Sequence, residues 1–240
     1  LRTPVGAIIG LSDSCYERSD DDRMRSDLLL IKNAGRRVAG QISDILDYSE
    51  LDRGRLAVTL ENYMISSLLG DVVTSLKPYL NSDVELVLDV DPAIPSVMYS
   101  DVEKIKRILW HLIMNGLKYT VKGGVYVHIT SEEQEYGVNL CIDIVDTGIG
   151  MSEDELSLAR ERFYQADGGK TKSRGGLGIG IPIVNGFVKA LGGFMLMDSE
   201  PDEGTRVHIC LPQKVIDGEN CMSGSDPQKG SLGAFFCFDT

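Results

Sequence analysis

An acidic residue that closes an apolar run and is followed by spaced glycines, Asp146-Thr-Gly-Ile-Gly-Met151, is the stretch of this chain best suited to chemistry. Gly148 and Gly150 let the backbone turn and come close to a ligand, because no Cβ intervenes. A carboxylate at the inner end of a strand is partly buried and needs a hydrogen-bond donor. The exocyclic amine of adenine is one such donor; the other reading of Asp146 is a strand end that caps a turn. Gly175-Gly-Leu-Gly-Ile-Gly180 opens a helix, whose free N–H groups and positive dipole end suit a phosphate. It lacks the strand and acidic partner of a dinucleotide fingerprint and the Gly-Lys-Ser/Thr of a P-loop. Asn115-Gly-Leu-Lys118-Tyr119 ends a helical segment. The Asn115 amide stands where an apolar residue is expected, and an amide oxygen is a good single protein ligand for Mg2+ among waters and phosphate oxygens. Lys118, one turn on, reaches phosphate, and Tyr119 packs against a base. A helix-terminal Asn beside a solvated Lys is the alternative. Each motif is ambiguous alone; in this order they point to a nucleotide site.

The elements that position these residues follow from pattern. With 240 residues, 42% hydrophobic and 25% charged, the chain reads as soluble and globular, in one or two domains with a sizeable core. A formal charge of −12 argues against nucleic-acid binding, which needs a basic surface. The acidic runs Ser19-Asp-Asp-Asp22 and Ser152-Glu-Asp-Glu155 read as solvated turns or helix starts. Five cysteines (Cys15, Cys141, Cys210, Cys221, Cys237) without a Cys-x-x-Cys spacing argue against a disulfide framework or zinc site and suit a reducing compartment. No run approaches the ~20 apolar residues of a membrane helix, and no signal peptide is visible. The chain begins at Leu1 without Met, so a fragment of a longer protein is expected.

Residues 1–18 read as a helix with Val5, Ile8, Ile9 and Ser12 on one face. A second helix runs from the polar turn to Leu51, with Leu28, Ile31, Val38, Ile42 and Ile45 as a heptad-like seam interrupted at Gly35 and Ser49. A two-helix hairpin cannot bury its own stripes, so pairing into a four-helix bundle by dimerisation is expected; packing on the chain's own C-terminal part is the alternative. Leu51-Asp-Arg-Gly-Arg55 is a linker. Beyond it the pattern predicts helix over 65–80, strand over 84–90, a loop over 91–95 fixed by two prolines, and helix over 101–119 with Ile105, Ile108, Leu109, Leu112 and Ile113 inward. Strands over 125–130 and 138–145, a helix over 179–191, and strands near 194–197 and 206–211 complete an α/β layer with helices on one side of a mixed sheet. The polar, glycine-punctuated loop 152–174 lies between two glycine motifs, and so long a loop is usually functional; a lid over nucleotide is expected. The tail is polar and turn-rich over 215–229. It then holds an apolar run, Leu232-Gly-Ala-Phe-Phe-Cys-Phe238, which either pairs with the sheet or, as favoured, begins a further domain.

These motifs carry a resemblance to sensor histidine kinases. Leu1-Arg-Thr-Pro4 resembles the tail of their phosphoacceptor motif, His-Glu-Leu-Arg-Thr-Pro. Residues 111–120 resemble their N-box, Asp146-Thr-Gly-Ile-Gly-Met151 their first glycine box, Arg162-Phe-Tyr-Gln-Ala-Asp167 their phenylalanine box, Gly176-Leu-Gly178 their second glycine box, and Gly204-Thr205 their third. The match covers residues 1 to about 213. It departs from the family at His111, where the first N-box Asn is usual, at Gln165, where Arg is frequent, and at Arg174, where a lid glycine is frequent. Lys170, Lys172 and Arg174 either supply the missing charge or form a solvated basic run.

The resemblance implies an α+β fold: a helical hairpin, a four-helix bundle on dimerisation, followed by an α/β sandwich of the histidine-kinase/gyrase ATPase type. It implies a phosphotransfer hairpin over 1–55, an ATP-binding domain over 56–213, and a tail or the start of a further, receiver-like domain over 214–240. The implied reaction moves the γ-phosphoryl of Mg2+-bound ATP to a histidine just upstream of Leu1, then to an aspartate of a response-regulator receiver domain. By position Asp146 reads adenine, Gly148 and Gly150 admit the ring, Asn115 holds Mg2+, Lys118 a phosphate and Tyr119 the base. Gly176 and Gly178 offer backbone N–H groups to the phosphates, and Leu177 and Thr205 complete the cofactor site. Thr3 falls where the family orients water to dephosphorylate the receiver, and Pro4 should kink the first helix. The expected partners are a second copy and a receiver domain, with no nucleic acid and no membrane contact by this stretch. The expected setting is the cytoplasm, including the cytoplasmic part of a membrane-bound sensor. Rival readings are a degenerate nucleotide-binding signalling module and a dimerisation scaffold without kinase activity.

Overall fold

A computed structural model describes residues 2–80, 83–159, 178–221, 236 and 237. Helices α1 (Arg2–Arg18) and α2 (Asp22–Asp52) form the hairpin. Asp21 caps α2 by accepting the N–H groups of Arg23 at 2.8 Å and Met24 at 3.1 Å, which explains the turn at the acidic run. The helices run antiparallel: the Arg25 guanidinium lies 4.6 Å from the Tyr16 ring centre, Lys32 pairs with Asp13, and Gly35 faces Ile9. α2 passes unbroken through Gly35 and Ser49. Gly35 is where α1 comes closest, since a Cβ there would stand 2.9 Å from Ile9 Cγ1. No described side chain of α2 is buried, and the seam residues Ile31, Val38 and Ile45 remain 48%, 44% and 52% exposed.

The second half is an open-faced sandwich. Its strands are β1 (Glu61–Met64), β2 (Val84–Val90), β3 (Pro95–Ser100), β4 (Gly123–Gln134), β5 (Gly137–Asp146), β6 (Phe194–Glu200), β7 (Gly204–Cys221) and β8 (Phe236–Cys237). They lie in the order β1-β3-β7-β5-β4-β2-β8, with β6 also on β7. All pairs are antiparallel except β2 with β4. Helices α3 (Ile65–Leu76), α4 (Val102–Tyr119) and α6 (Gly180–Ala190) cover one face. Alternate residues of β5 and β7, such as Leu140, Ile142, Ile144, Ile209 and Leu211, join the core with Ile105, Ile108, Ile113 and Phe187. Opposite-face residues such as Tyr126, His128 and His208 are wholly or partly exposed.

Several expectations are corrected. β1 and β3 lie where the pattern predicts no strand: β1 is very short, and β3 starts on a proline, which is tolerated because it needs no N–H at a strand's first residue. β7 does not stop near residue 211 but runs to Cys221, its first half lying between β5 and β6 and its second half pairing with β3. The stretch expected to be turn-rich is therefore strand at its start. In the apolar run of the tail, Phe236 and Cys237 pair with Leu88 and Val87 of β2, so sheet pairing, not the favoured separate domain, describes these two residues. Among the described residues, no helix is long and apolar enough to cross a membrane.

Candidate functional site

The site forms where β5 ends. Its last residue, Asp146, is opposite Val125 of β4 on one side and Thr205 of β7 on the other. This anchoring from both sides leaves the residue only 9% exposed. Burial pushes its pKa above the ordinary carboxylate value, and hydrogen bonds from the N–H groups of Gly148 and Thr205 partly counter that. The Gly148 bond is 2.9 Å long. The carboxylate keeps lone pairs for a further donor, which is what recognition of an amine requires.

The glycine turn is held against the end of α4. Ile149 donates its N–H to the Tyr119 carbonyl at 3.3 Å. A Cβ at Gly148 would stand 2.7 Å from Asp146 Oδ1 and 2.8 Å from the Tyr119 carbonyl oxygen, so only glycine keeps this contact. Gly150 has φ of 61°, and a Cβ there would overlap the Glu200 carbonyl. Beyond the turn, Thr205 Oγ1 lies 3.0 Å from Ser199 Oγ at the strand pair that backs the site.

α4 brings the other candidates. Its start is capped by Asp101, which is 3% exposed and accepts the N–H of Lys104 at 3.1 Å and that of Thr59 at 2.8 Å. Asn115 is half-buried in the last turns, and its amide has no hydrogen-bond partner among the described residues. Lys118 Nζ lies 2.9 Å from the Tyr119 hydroxyl and 4.6 Å from its ring centre. Gly116 lies over the strand end: a Cβ there would approach Asp146 Cβ to 3.4 Å. Asn115, Lys118, Tyr119, Asp146, Gly148, Gly150 and Thr205 thus belong to one junction of α4, β5 and β7. Gly178, with φ of 67°, precedes α6, whose first residue, Gly180, sits beside His111 on α4: a Cβ on Gly180 would be 3.4 Å from His111 Nδ1.

Gly176 and Leu177 lie outside the described residues, as do the phenylalanine box, Lys170, Lys172 and Arg174. The described start of the loop expected to be a lid is helix α5 (Glu153–Ala159). Ser152 accepts the Glu155 N–H at 3.4 Å, and Glu155 accepts the Ser152 N–H at 2.9 Å. This Ser-x-x-Glu capping box was legible in the sequence. Thr3 is not at the junction; it is exposed in the first turn of α1.

Sequence reasoning passed over Thr120. It is 3% exposed, caps the C-terminal end of α4, and its hydroxyl has no hydrogen-bond partner among the described residues. A buried orphan hydroxyl beside the Asp146 turn suits a ligand or ordered water; its position at the end of the N-box was the available signal. Among the described residues there is no cluster of three or more His, Cys, Asp or Glu able to hold a metal. The one free amide of Asn115 therefore fits an ion whose other ligands are phosphate oxygens and water, as is usual for Mg2+.

Residues 1–54 match the His Kinase A (phospho-acceptor) domain, and residues 100–215 match the histidine kinase-, DNA gyrase B-, and HSP90-like ATPase. The autoinducer 2 sensor kinase/phosphatase LuxQ of Vibrio cholerae serotype O1 is 30% identical over 233 residues, covering 95% of this chain and 27% of that protein. The sensor histidine kinase GacS of Pseudomonas protegens is 31% identical over 224 residues, covering 92% of this chain and 24% of that protein. The chain thus spans about a quarter of the length of these two relatives. Full-length ShkA, in a crystal structure in complex with AMPPNP, shares the fold with a TM-score of 0.66 at 22% identity, over 90% of this chain and 44% of that one. With both domain matches in order along one chain, and relatives similar along nearly all of it, the chain belongs to the sensor histidine kinase family.

Proposed function

We propose that this chain is the ATP-dependent kinase core of a two-component sensor, taking the γ-phosphoryl of ATP to a histidine and then to a receiver aspartate. The observation that carries the reading is Asp146: a buried carboxylate fixed by two backbone N–H groups, with a glycine turn and the end of α4 closing around it. Asp146 accepts the adenine amine, and the Gly148–Gly150 turn leaves room for the ring. Tyr119 lies along the base, and Thr120 supplies a hydroxyl to the base edge or to a bridging water. Lys118 neutralises phosphate charge. Gly178 and the first N–H groups of α6 face the phosphates, with Gly176 and Leu177 preceding them in sequence. Asn115 would hold Mg2+, which supplies neutralisation of the phosphate charge when bound. The imidazole nitrogen of a histidine two positions before Leu1 attacks the γ-phosphorus. An N–P bond forms as the bond to the β,γ-bridging oxygen breaks, and ADP leaves. A receiver carboxylate oxygen then displaces the imidazole. Positioning and charge neutralisation do most of the work in such a transfer.

The hairpin's uncovered stripe supports a homodimer, and the receiver domain is the acceptor partner. Thr3, exposed near the acceptor position, serves the opposing hydrolysis: it orients a water that attacks the receiver's aspartyl phosphate, releasing inorganic phosphate and the free carboxylate. The setting is the cytoplasmic part of a sensor.

Asp146→Asn keeps the shape but removes the charge. It should weaken ATP binding about 10- to 100-fold by calorimetry, the scale of one charged hydrogen bond, with melting temperature held. Unchanged affinity would sink the adenine assignment. Because burial holds the Asp146 pKa above the usual value, wild-type affinity should fall on mild acidification, and the Asp146→Asn variant should lose that dependence. Asn115→Ala in the full-length protein should abolish phosphotransfer far more than nucleotide binding.

A further inference from the structure

The C-terminal third of α2 meets the ATPase domain through a charged cluster that nucleotide binding does not use. Arg107 of α4 is its centre. Its guanidinium pairs with Asp44 Oδ1 at 2.7 Å and with Asp47, and donates to Ser43 Oγ at 3.2 Å. The same guanidinium lies 5.6 Å from the ring centre of Phe187 in α6. His111, one turn further along α4 and 6% exposed, sets Nε2 3.3 Å from the same Asp44 oxygen, at ion-pair distance without hydrogen-bond alignment. Its other face is against Gly180, at the phosphate end of the site. Beside the cluster the Leu51 side chain packs over Gly186, where a Cβ would crowd its methyl groups. The hairpin and the phosphate-facing helix are therefore joined through Asp44, Arg107 and His111.

The level of this junction is informative. Across the hairpin Tyr16 is opposite Arg25, Asp13 opposite Lys32 and Ile9 opposite Gly35. In antiparallel helices one residue back along α1 matches about one residue forward along α2. Carried on, the position two before Leu1 comes level with the turn of α2 that holds Asp44 and Asp47. The cluster thus holds the phosphate end of the nucleotide site at the height of the expected acceptor.

We infer that Asp44, Asp47, Arg107 and His111 form a height pin, an interdomain ion cluster that sets the ATPase domain on the hairpin at the acceptor's level. They are positioning residues for phosphoryl transfer. A cluster half-shielded from water is suited to this, because an ion pair there is short-ranged and directional, whereas the apolar Leu51 contact tolerates sliding. His111 lies between the two sides of the pin, with Nε2 toward Asp44 and Nδ1 toward the start of α6.

The inference rests on the kinase reading, and the test separates the two. The full-length protein, with its acceptor histidine, is assayed for ATP affinity, for autophosphorylation rate at saturating ATP, and for melting temperature. If the wild-type protein does not autophosphorylate at all, the kinase reading fails first. Given an active wild type, Asp44→Arg should lower the rate about 100-fold, the scale of a misplacement of about 1 Å, with ATP affinity within about two-fold. The double variant Asp44→Arg with Arg107→Asp restores one pair of opposite sign and should recover most of the rate, which a merely structural role would not do. Should Asp44→Arg fail to fold, Asp44→Asn removes only the charge and should lower the rate about ten-fold at unchanged affinity. An unchanged rate in the single variant overturns the inference. So does a raised rate, which would make the cluster a brake, or a folded double variant that stays as slow as the single one.

Discussion

The hairpin and the ATPase domain handle apolar surface in opposite ways. α4 buries Ile105, Ile108, Leu109, Leu112, Ile113 and Leu117 against the sheet. α2 is longer, at 31 residues against 18, yet none of its described side chains is buried. On α1 the described residue that is buried is a serine, Ser12, whose hydroxyl bonds the Ile8 carbonyl at 2.8 Å. Full burial of one large aliphatic side chain contributes about 1.5–3 kcal/mol. The ATPase domain obtains that from within one chain, whereas the hairpin offers Leu11, Leu30, Ile31, Val38 and Ile45 to something outside it. One half is a finished fold that carries a candidate site; the other leaves its apolar stripe uncovered. The proposed pairing with a second copy would account for the difference, since a two-helix hairpin cannot bury its own stripes.

Three substitutions sharpen this contrast. The largest effect belongs to Gly150→Ala, which forces a side chain into a left-handed backbone against the Glu200 carbonyl. It should cost about 3 kcal/mol or more and remove nucleotide binding. Hairpin self-association, followed by sedimentation, should persist. Loss of self-association in this variant would show that the hairpin depends on the ATPase fold. Next is Ile31→Glu, in a residue 48% exposed on the seam. A charge there should weaken dimerisation by about 2–3 kcal/mol while the ATP affinity of the chain is unaltered. A variant that stays dimeric at the wild-type concentration would show that the stripe is not the interface.

The smallest effect is expected at Asp101, the cap of α4. Burial raises its pKa, but the Lys104 side chain and the N–H groups of Thr59 and Lys104 outweigh that and hold it below 3.8. A depressed folded-state pKa means that its stabilisation is fully present above 3.8 and is lost as pH falls through the folded value. Asp101→Ala should therefore cost about 1 kcal/mol at pH 7 by denaturant titration, and the gap to wild type should close on strong acidification. A gap independent of pH would exclude the carboxylate as its source.

Much of the ATPase half was legible because its signals are local. The 3.6-residue periodicity of α4 needs no knowledge of what it packs against, and the glycines at 148 and 150 announce backbone geometry through residue type alone. β1 and β3 were not legible. They are short, lie beside one another at the sheet's edge, and owe their strand form to partners: β1 to Tyr99 and its neighbours, β3 to residues 214–221 of β7. Read alone, that part of β7 is polar enough to pass for turns.

By itself, the sequence determined the order of the motifs, the two long helices, the inward faces of α4 and β5, and a nucleotide-sized set of polar groups. Each is a matter of residue type and spacing within a few turns of chain. Only the tertiary structure decided that Asp146 is held by Thr205 from another strand and that Thr120 is left an orphan hydroxyl. It also decided that Arg107 lies between Asp44 and Asp47. On an isolated helix an arginine or an aspartate looks like solvated surface. It becomes a contact when folding brings residues more than 50 positions apart within 3 Å, and no local pattern encodes that.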